Sequence, residues 1–376
     1  MGLMRLGDIL NSQDNREEGF MRWRQAIKLA EAQHLSEHER FSIESRYALE
    51  IRDFEKAEPA LRAWTQKFPN DPVPAQLLAW CLLQIGNYEE GARIARENQD
   101  RFPPDAFGTS VLIRALFAKN ELTGIDQQIT ILEGLSSKPV ALGFRAIAAA
   151  LRGDDDTSAG LLRDAMLSDD VRESSRAAAL LAKLEADRGQ LEKARQLLSE
   201  GILKDSKTGQ DGFAAEKTIA LAFLEGMAGN HALAVARAQR AVSIRRSPLV
   251  IVQAVTVLAR NGSPKEAARL RDTFPAGEGP KYDADLLRMN GEILAAEGSF
   301  KPALQLLDRA AHADSPHEPK EYLARALDSA GDRAQAKIVY QQIVDASFLT
   351  WTVEDQWPAT RFFAKQYLKK FEGSVK

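Results

Sequence analysis

Disulfides, a membrane-length apolar run and an excess of one charge are all missing from this chain of 376 residues. Its one cysteine, Cys81, excludes an intrachain disulfide and any CxxC or zinc-finger framework. No stretch reaches the ~18 apolar residues that a membrane-crossing helix needs. The longest, Pro248 to Ala259, ends at Arg260. Lys and Arg number 50 against 53 Asp and Glu, a net charge of −3, so no electrostatic footprint for a phosphate backbone is present and nucleic acid is not an expected partner. The N-terminal MGLMRLGDIL carries Arg5 and Asp8 where a signal peptide needs apolar residues, and Leu6 where a myristoylation signal needs Ser or Thr. The compartment stays open, with the cytoplasm favoured for the chain as given. Aromatics are scarce at 7%, yet 44% of residues are apolar, enough for a core and rich in Ala and Leu, strong helix formers.

What is present is a repeat. Asp53, Phe54, Ala57 and Pro69 recur 34 positions later as Asn87, Tyr88, Gly91 and Pro103. A glycine followed five residues on by a small residue then returns along the chain: Gly189 with Ala194, Gly229 with Ala234, Gly262 with Ala267, Gly298 with Ala303, Gly331 with Ala336. The small residues are spaced 40, 33, 36 and 33 apart; the long interval is expected to hold a loop insertion, KDSKTGQDG, before Phe213. A helix–turn–helix unit of about 34 residues explains each position. Glycine ends the first helix in a left-handed turn, the small residue sits where the paired helices come closest, and Leu61, Leu198, Leu307 and Tyr340 fill the gap to the next pair. Leu6-Gly7, Leu10, Gly19, Trp23 and Ala26 mark a first repeat whose Met4, Leu6 and Leu10 would want cover, as in a module cut from something longer. The stretch 106–170 is degenerate, with turns at Gly124 and Gly153.

These spacings are the tetratricopeptide signature. The expected fold is all-α, a TPR-like α-solenoid forming a right-handed superhelix of about ten helix pairs plus a C-terminal capping helix. Residues 1–345 are the solenoid, and 346–376 a linker and a last helix from Pro358 to about Phe371. That helix sets Phe362, Phe363, Tyr367, Leu368 and Phe371 against Lys365, Lys369 and Lys370, and reads as a solvating cap. A basic amphipathic helix could instead lie on a membrane or bind a partner.

Leu35 to Glu97, with Ser36-Glu37, Glu39-Arg40, Tyr47, Trp64 and Phe68-Pro69, resembles the C-terminal repeat region of bacterial, notably acidobacterial, multidomain signalling proteins. In those, similar repeats follow a serine/threonine kinase or a winged-helix domain, so the resemblance implies a possible upstream domain of that kind. This chain has no Gly-rich loop, HRD or DFG motif of a kinase, and no basic recognition helix.

No catalytic constellation survives inspection. P-loop, GxSxG and dinucleotide motifs are absent, and Cys81 lies among apolar neighbours as an inert thiol. His34 and His38 are not an HExxH pair and read as solvated loop residues without a third metal ligand. Asp154, Asp155 and Asp156 suit helix capping better than calcium. Neither a cofactor nor a metal is expected, and the chain reads as non-enzymatic. The tetratricopeptide likeness implies that first helices line a concave groove. In that register Ser42 and Arg46, then Gln76, Trp80, Leu83 and Gln84, then Ser110, Arg114 and Phe117 face a protein or peptide ligand. The Lys and Asn clamp of chaperone-binding relatives is not reproduced, since the slots carry Met4, Asp8 and Leu77. Two other classes stay open: a structural subunit that assembles through repeat faces, and an enzyme with an unrecognised site.

Overall fold

The computed structural model describes residues 2–12, 16–32, 35–274, 279–313, 319–346 and 360–373. Among them are 21 helices and no strand. Twenty form ten consecutive pairs: α1 (Gly2–Ser12) with α2 (Arg16–Ala32), α3 (Glu37–Glu50) with α4 (Phe54–Lys67), α5 (Pro72–Gln84) with α6 (Tyr88–Arg101), α7 (Ala106–Ala118) with α8 (Ile125–Leu135), and α9 (Lys138–Leu151) with α10 (Asp155–Met166). Then come α11 (Val171–Asp187) with α12 (Leu191–Lys207), α13 (Asp211–Met227) with α14 (His231–Ile244), α15 (Pro248–Arg260) with α16 (Pro264–Arg271), α17 (Pro280–Ala296) with α18 (Phe300–Ala313), and α19 (Glu321–Ser329) with α20 (Arg333–Asp345). The last helix is α21 (Thr360–Gly373). The chain is thus an α-solenoid of helix pairs.

The local signals act where the spacing places them. Gly86 closes the turn after α5 with φ of 81°, and Asn87 caps α6 by accepting from the Glu90 amide. Ala57, Ala194, Ala234, Ala267, Ala303 and Ala336 are all fully buried. At Gly91, in the same register, a Cβ would come 2.6 Å from Leu83 Cδ1, so any larger residue would force Leu83 to shift. The equivalent turns of the second and fourth repeats hold non-glycine residues at positive φ, Arg52 at 54° and Asn120 at 53°. The degenerate stretch still forms α7 to α10, with Asp154 capping α10 through the Thr157 amide.

One expectation is corrected. The segment before Phe213 is not a loop, because α12 continues through Lys207 and carries Asp205 into the interior to meet Lys217 and Ser175. Met4, expected to be exposed, is 1% accessible against Trp23 and Ile43, whereas Leu6 stays on the surface.

Two compact units divide the chain: Met1–Leu135 with Gly277–Tyr282, and Ser136–Ala276 with Asp283–Lys376. In the first, first helices α3, α5 and α7 pack side by side, and Arg62 on α4 ties to α6 through Glu90 at 2.8 and 2.9 Å. Tyr282 meets Phe20 edge-on at 6.0 Å. In the second, α9, α11, α13 and α15 form the same ladder. Here α21 covers the last repeat, Ala364 being buried with Ala324, Ala336, Tyr340 and Ile343. It also reaches the sixth repeat, where Phe362 and Phe363 pack on a cluster from α11, α12 and α13.

Candidate functional site

The residues expected to line the groove fall within the first unit, on α3, α5 and α7. The structure splits them by burial. Ser42 is 3% exposed and Phe117 only 1%, so both belong to the interior. Gln76 is also buried, and its amide donates to Asp105, the residue that caps α7 by accepting from the Gly108 amide. Gln76 therefore joins the third repeat to the fourth. The gap beside it, between Asn98, Pro104 and Gly108, is about 10 Å³, no larger than one water.

Arg46, Trp80, Gln84 and Arg114 keep partial exposure. Trp80 is distinctive because Leu78, Ala79, Cys81, Leu82 and Leu83 around it on α5 are all buried. Ser110 is half-buried with its hydroxyl donating to the Phe107 carbonyl at 2.8 Å. Leu83 belongs to the core. Arg46 Nη1 stands 3.6 Å from Asp8 Oδ2 on α1, a partner 38 positions away that repeat spacing does not indicate. Partial burial pushes the Asp8 carboxyl up, and Arg46 opposes that shift.

Other candidate chemistry resolves into packing. The Cys81 thiol is buried and desolvation pushes its pKa up to about 12, so it stays protonated and unreactive. His38 is not a free loop ring. Its Nε2 lies 2.7 Å from Asp71 Oδ2, and the ring meets Trp64 and Phe68 edge-on at 5.3 and 5.0 Å. His34 and His317 lie outside the described residues. Among the described residues no three His, Cys, Asp or Glu side chains gather as a metal site would require, and no helix is long and apolar enough to cross a membrane.

The second unit contains buried charges that periodicity alone did not reveal. Glu185 and Glu225 each stand four residues before a turn glycine, which was the available signal. Glu185 lies 3.2 Å from Lys193 and 3.8 Å from Arg163; Glu225 lies 3.7 Å from Arg195 and 3.9 Å from Arg237. Each glutamate thus joins its own second helix to that of the preceding repeat. Arg260 bridges Glu292 and Glu321, both at 2.9 Å, linking three successive first helices. Burial opposes ionisation of Glu292, but the Arg260 guanidinium prevails and holds the carboxyl below its usual range.

No protein-family model matches the chain. No curated protein matches it either. Among solved structures, a tetratricopeptide repeat protein from Parabacteroides merdae is similar with a TM-score of 0.36 and 14% identity, over 78% of this chain and 98% of that one. The solenoid assignment rests on the helix pairing described above.

Proposed function

We propose that this chain is a non-enzymatic protein-binding scaffold whose first unit takes a peptide across α3, α5 and α7. The observation that carries this reading is Trp80, half-exposed on a helix whose neighbouring positions are sealed, with half-buried Arg46 and Arg114 on the helices to either side. An indole offers a broad apolar surface and a face for cations. Two guanidiniums suit carboxylates, so the partner expected is a peptide combining acidic and apolar residues. Ser42, Gln76 and Phe117 are buried and lie outside that face.

The resemblance of residues 35–97 to repeat regions of bacterial signalling proteins supports the finer reading of an interaction or sensory region from such a protein. The deciding experiment is affinity capture followed by titration of the partner found. Trp80→Ala should weaken it at least about tenfold, the scale of a buried aromatic anchor. Arg46→Ala should weaken it less, with a loss that shrinks as salt rises. Equal affinity of Trp80→Ala and wild type, with the fold intact, would remove this face from the proposal.

A second reading, a structural subunit, is favoured by the exposed apolar residues of one helix pair. Leu6, Ile9, Met21 and Leu29 are 39 to 52% exposed, together on the first helix pair. A contact burying more than ~1,000 Å² there would appear as a stable oligomer in sedimentation. A monomer at micromolar concentration would eliminate it.

A further inference from the structure

Within the second unit, α21 touches two distant places, and Arg361 contacts both, its Nε donating to the Val344 carbonyl at the end of α20 at 2.9 Å. Ala364, Tyr367 and Leu368 pack on the last repeat, where the Tyr367 ring lies 4.1 Å from that of Tyr340. Arg361 and Lys365 stand at i and i+4 and form one stripe along the helix, with Phe362 on the adjoining face. That stripe meets the end of α11. Arg361 Nη1 lies 3.1 Å and Lys365 Nζ 3.8 Å from Asp187 Oδ2.

The seat combines an acidic group that the repeat does not need with the turn glycine and apolar cluster that the repeat already supplies. Asp187 is the last residue of α11, so its carboxylate stands at the negative end of its own helix dipole, an unfavourable position unless a cation arrives. Both of its ion pairs among the described residues come from α21. Its other oxygen, Oδ1, is buried and accepts no hydrogen bond from the described residues. The turn that follows leaves a slot: a Cβ on Gly189 would fall 2.7 Å from Phe362 Cε2. Ala186, Leu221 and Leu224 contribute to the cluster on which Phe362 and Phe363 rest. An apolar groove can receive one face of an amphipathic helix, and here an acidic group stands beside it.

The fit of α21 is looser than that of the core helices. Phe362, Phe363, Tyr367 and Leu368 are only half-buried, and Lys369 and Lys370 are exposed. A cleft of about 220 Å³ remains between α21 and Phe223, Met227 and Arg325. Interiors are normally close-packed, so a helix over such a gap belongs to the least stable part of its unit.

We infer that Asp187, the Gly189 turn and the Leu221–Leu224 floor form a docking site for a basic, aromatic helix, and that α21 is its resident ligand. The partner that competes for it is a protein helix presenting Arg or Lys beside an aromatic, with a second cation four residues after the first. The chain carries both the site and the segment that occupies it, so binding there requires α21 to leave. This site is separate from Trp80 and does not depend on the proposed binding face of the first unit.

The test uses the full-length chain and a fluorescent peptide of residues 360–373. A chain carrying Arg361→Glu and Phe362→Ala keeps the seat but weakens its own ligand, and should bind the peptide at least tenfold more tightly than wild type. Adding Asp187→Lys should abolish that gain, and a peptide carrying Arg361→Glu should recover part of it. In the wild-type chain, α21 amides should exchange with solvent at least tenfold faster than those of α11 and α13. Equal protection of α21 would overturn the inference. So would loss of the cooperative fold in the released variant, peptide binding no tighter than wild type, or binding indifferent to residue 187. Failure to find a partner at Trp80 would leave all these outcomes unaffected.

Discussion

Lys217 Nζ donates to Asp205 Oδ2 at 2.7 Å and to Ser175 Oγ at 2.5 Å, while the Ser175 hydroxyl donates to the same carboxylate at 3.0 Å. All three side chains are 3% exposed or less, and they come from α13, α12 and α11. Lengthening of α12 past the usual repeat is what delivers Asp205 to this triangle.

Breaking the pair from one side should therefore be severe. Asp205→Ala leaves a buried ammonium facing a hydroxyl and should cost about 3–5 kcal/mol. The double variant Asp205→Ala with Lys217→Met should recover more than half of that loss in urea denaturation followed by circular dichroism. A cost below about 1 kcal/mol for the single variant would show that the ammonium escapes to water.

The same triangle has a pH signature. Burial pushes the Lys217 ammonium below its ordinary value of 10.5, with Asp205 opposing. Over the window beneath 10.5 the unfolded chain holds more protons, so stability rises as pH climbs through it. Removing Asp205 extends that window downward. Denaturation midpoints at several pH values should show a steeper rise for Asp205→Ala than for wild type, and an unchanged slope would exclude this coupling.

Arg52 occupies a turn position where other repeats carry glycine, at φ of 54°. Left-handed backbone costs an L-residue roughly 1–2 kcal/mol. Arg52→Gly should raise stability by about 0.5–1 kcal/mol, and Gly86→Ala should lower it by about 1 kcal/mol. Thermal midpoints decide both; a fall for Arg52→Gly would mean that its side-chain contacts outweigh the strain.

Cys81 provides a test of burial. With its thiol pushed up to about 12, the folded protein should react with a thiol reagent at pH 8 no faster than it unfolds. Rapid labelling under native conditions would place the thiol at the surface.

Unfolding of the whole chain should proceed in more than one step, because repeats couple mainly to their neighbours. Among the helix pairs, hydrogen exchange should find Ala106 to Asp170 opening first. Finding that stretch among the best protected would refute the order.

The sequence by itself determined the repeat. Gly86, Ala194 and Ala303 act through their own turn or their own helix pair, and such short-range constraints are written into spacing. The count of pairs, the capping role of Asp154 and the inert environment of Cys81 follow from the same local physics. Tertiary structure decided the rest. On α5 and α7 nearly every position is apolar, so periodicity could not tell that Gln76 and Phe117 face inward while Trp80 keeps an open edge. Nor could it join Arg361 to Asp187, 174 positions apart, since that contact exists only because packed repeats bring the sixth and tenth pairs within reach of one helix. Contacts between distant residues depend on the accumulated geometry of every pair between them, which no local pattern encodes.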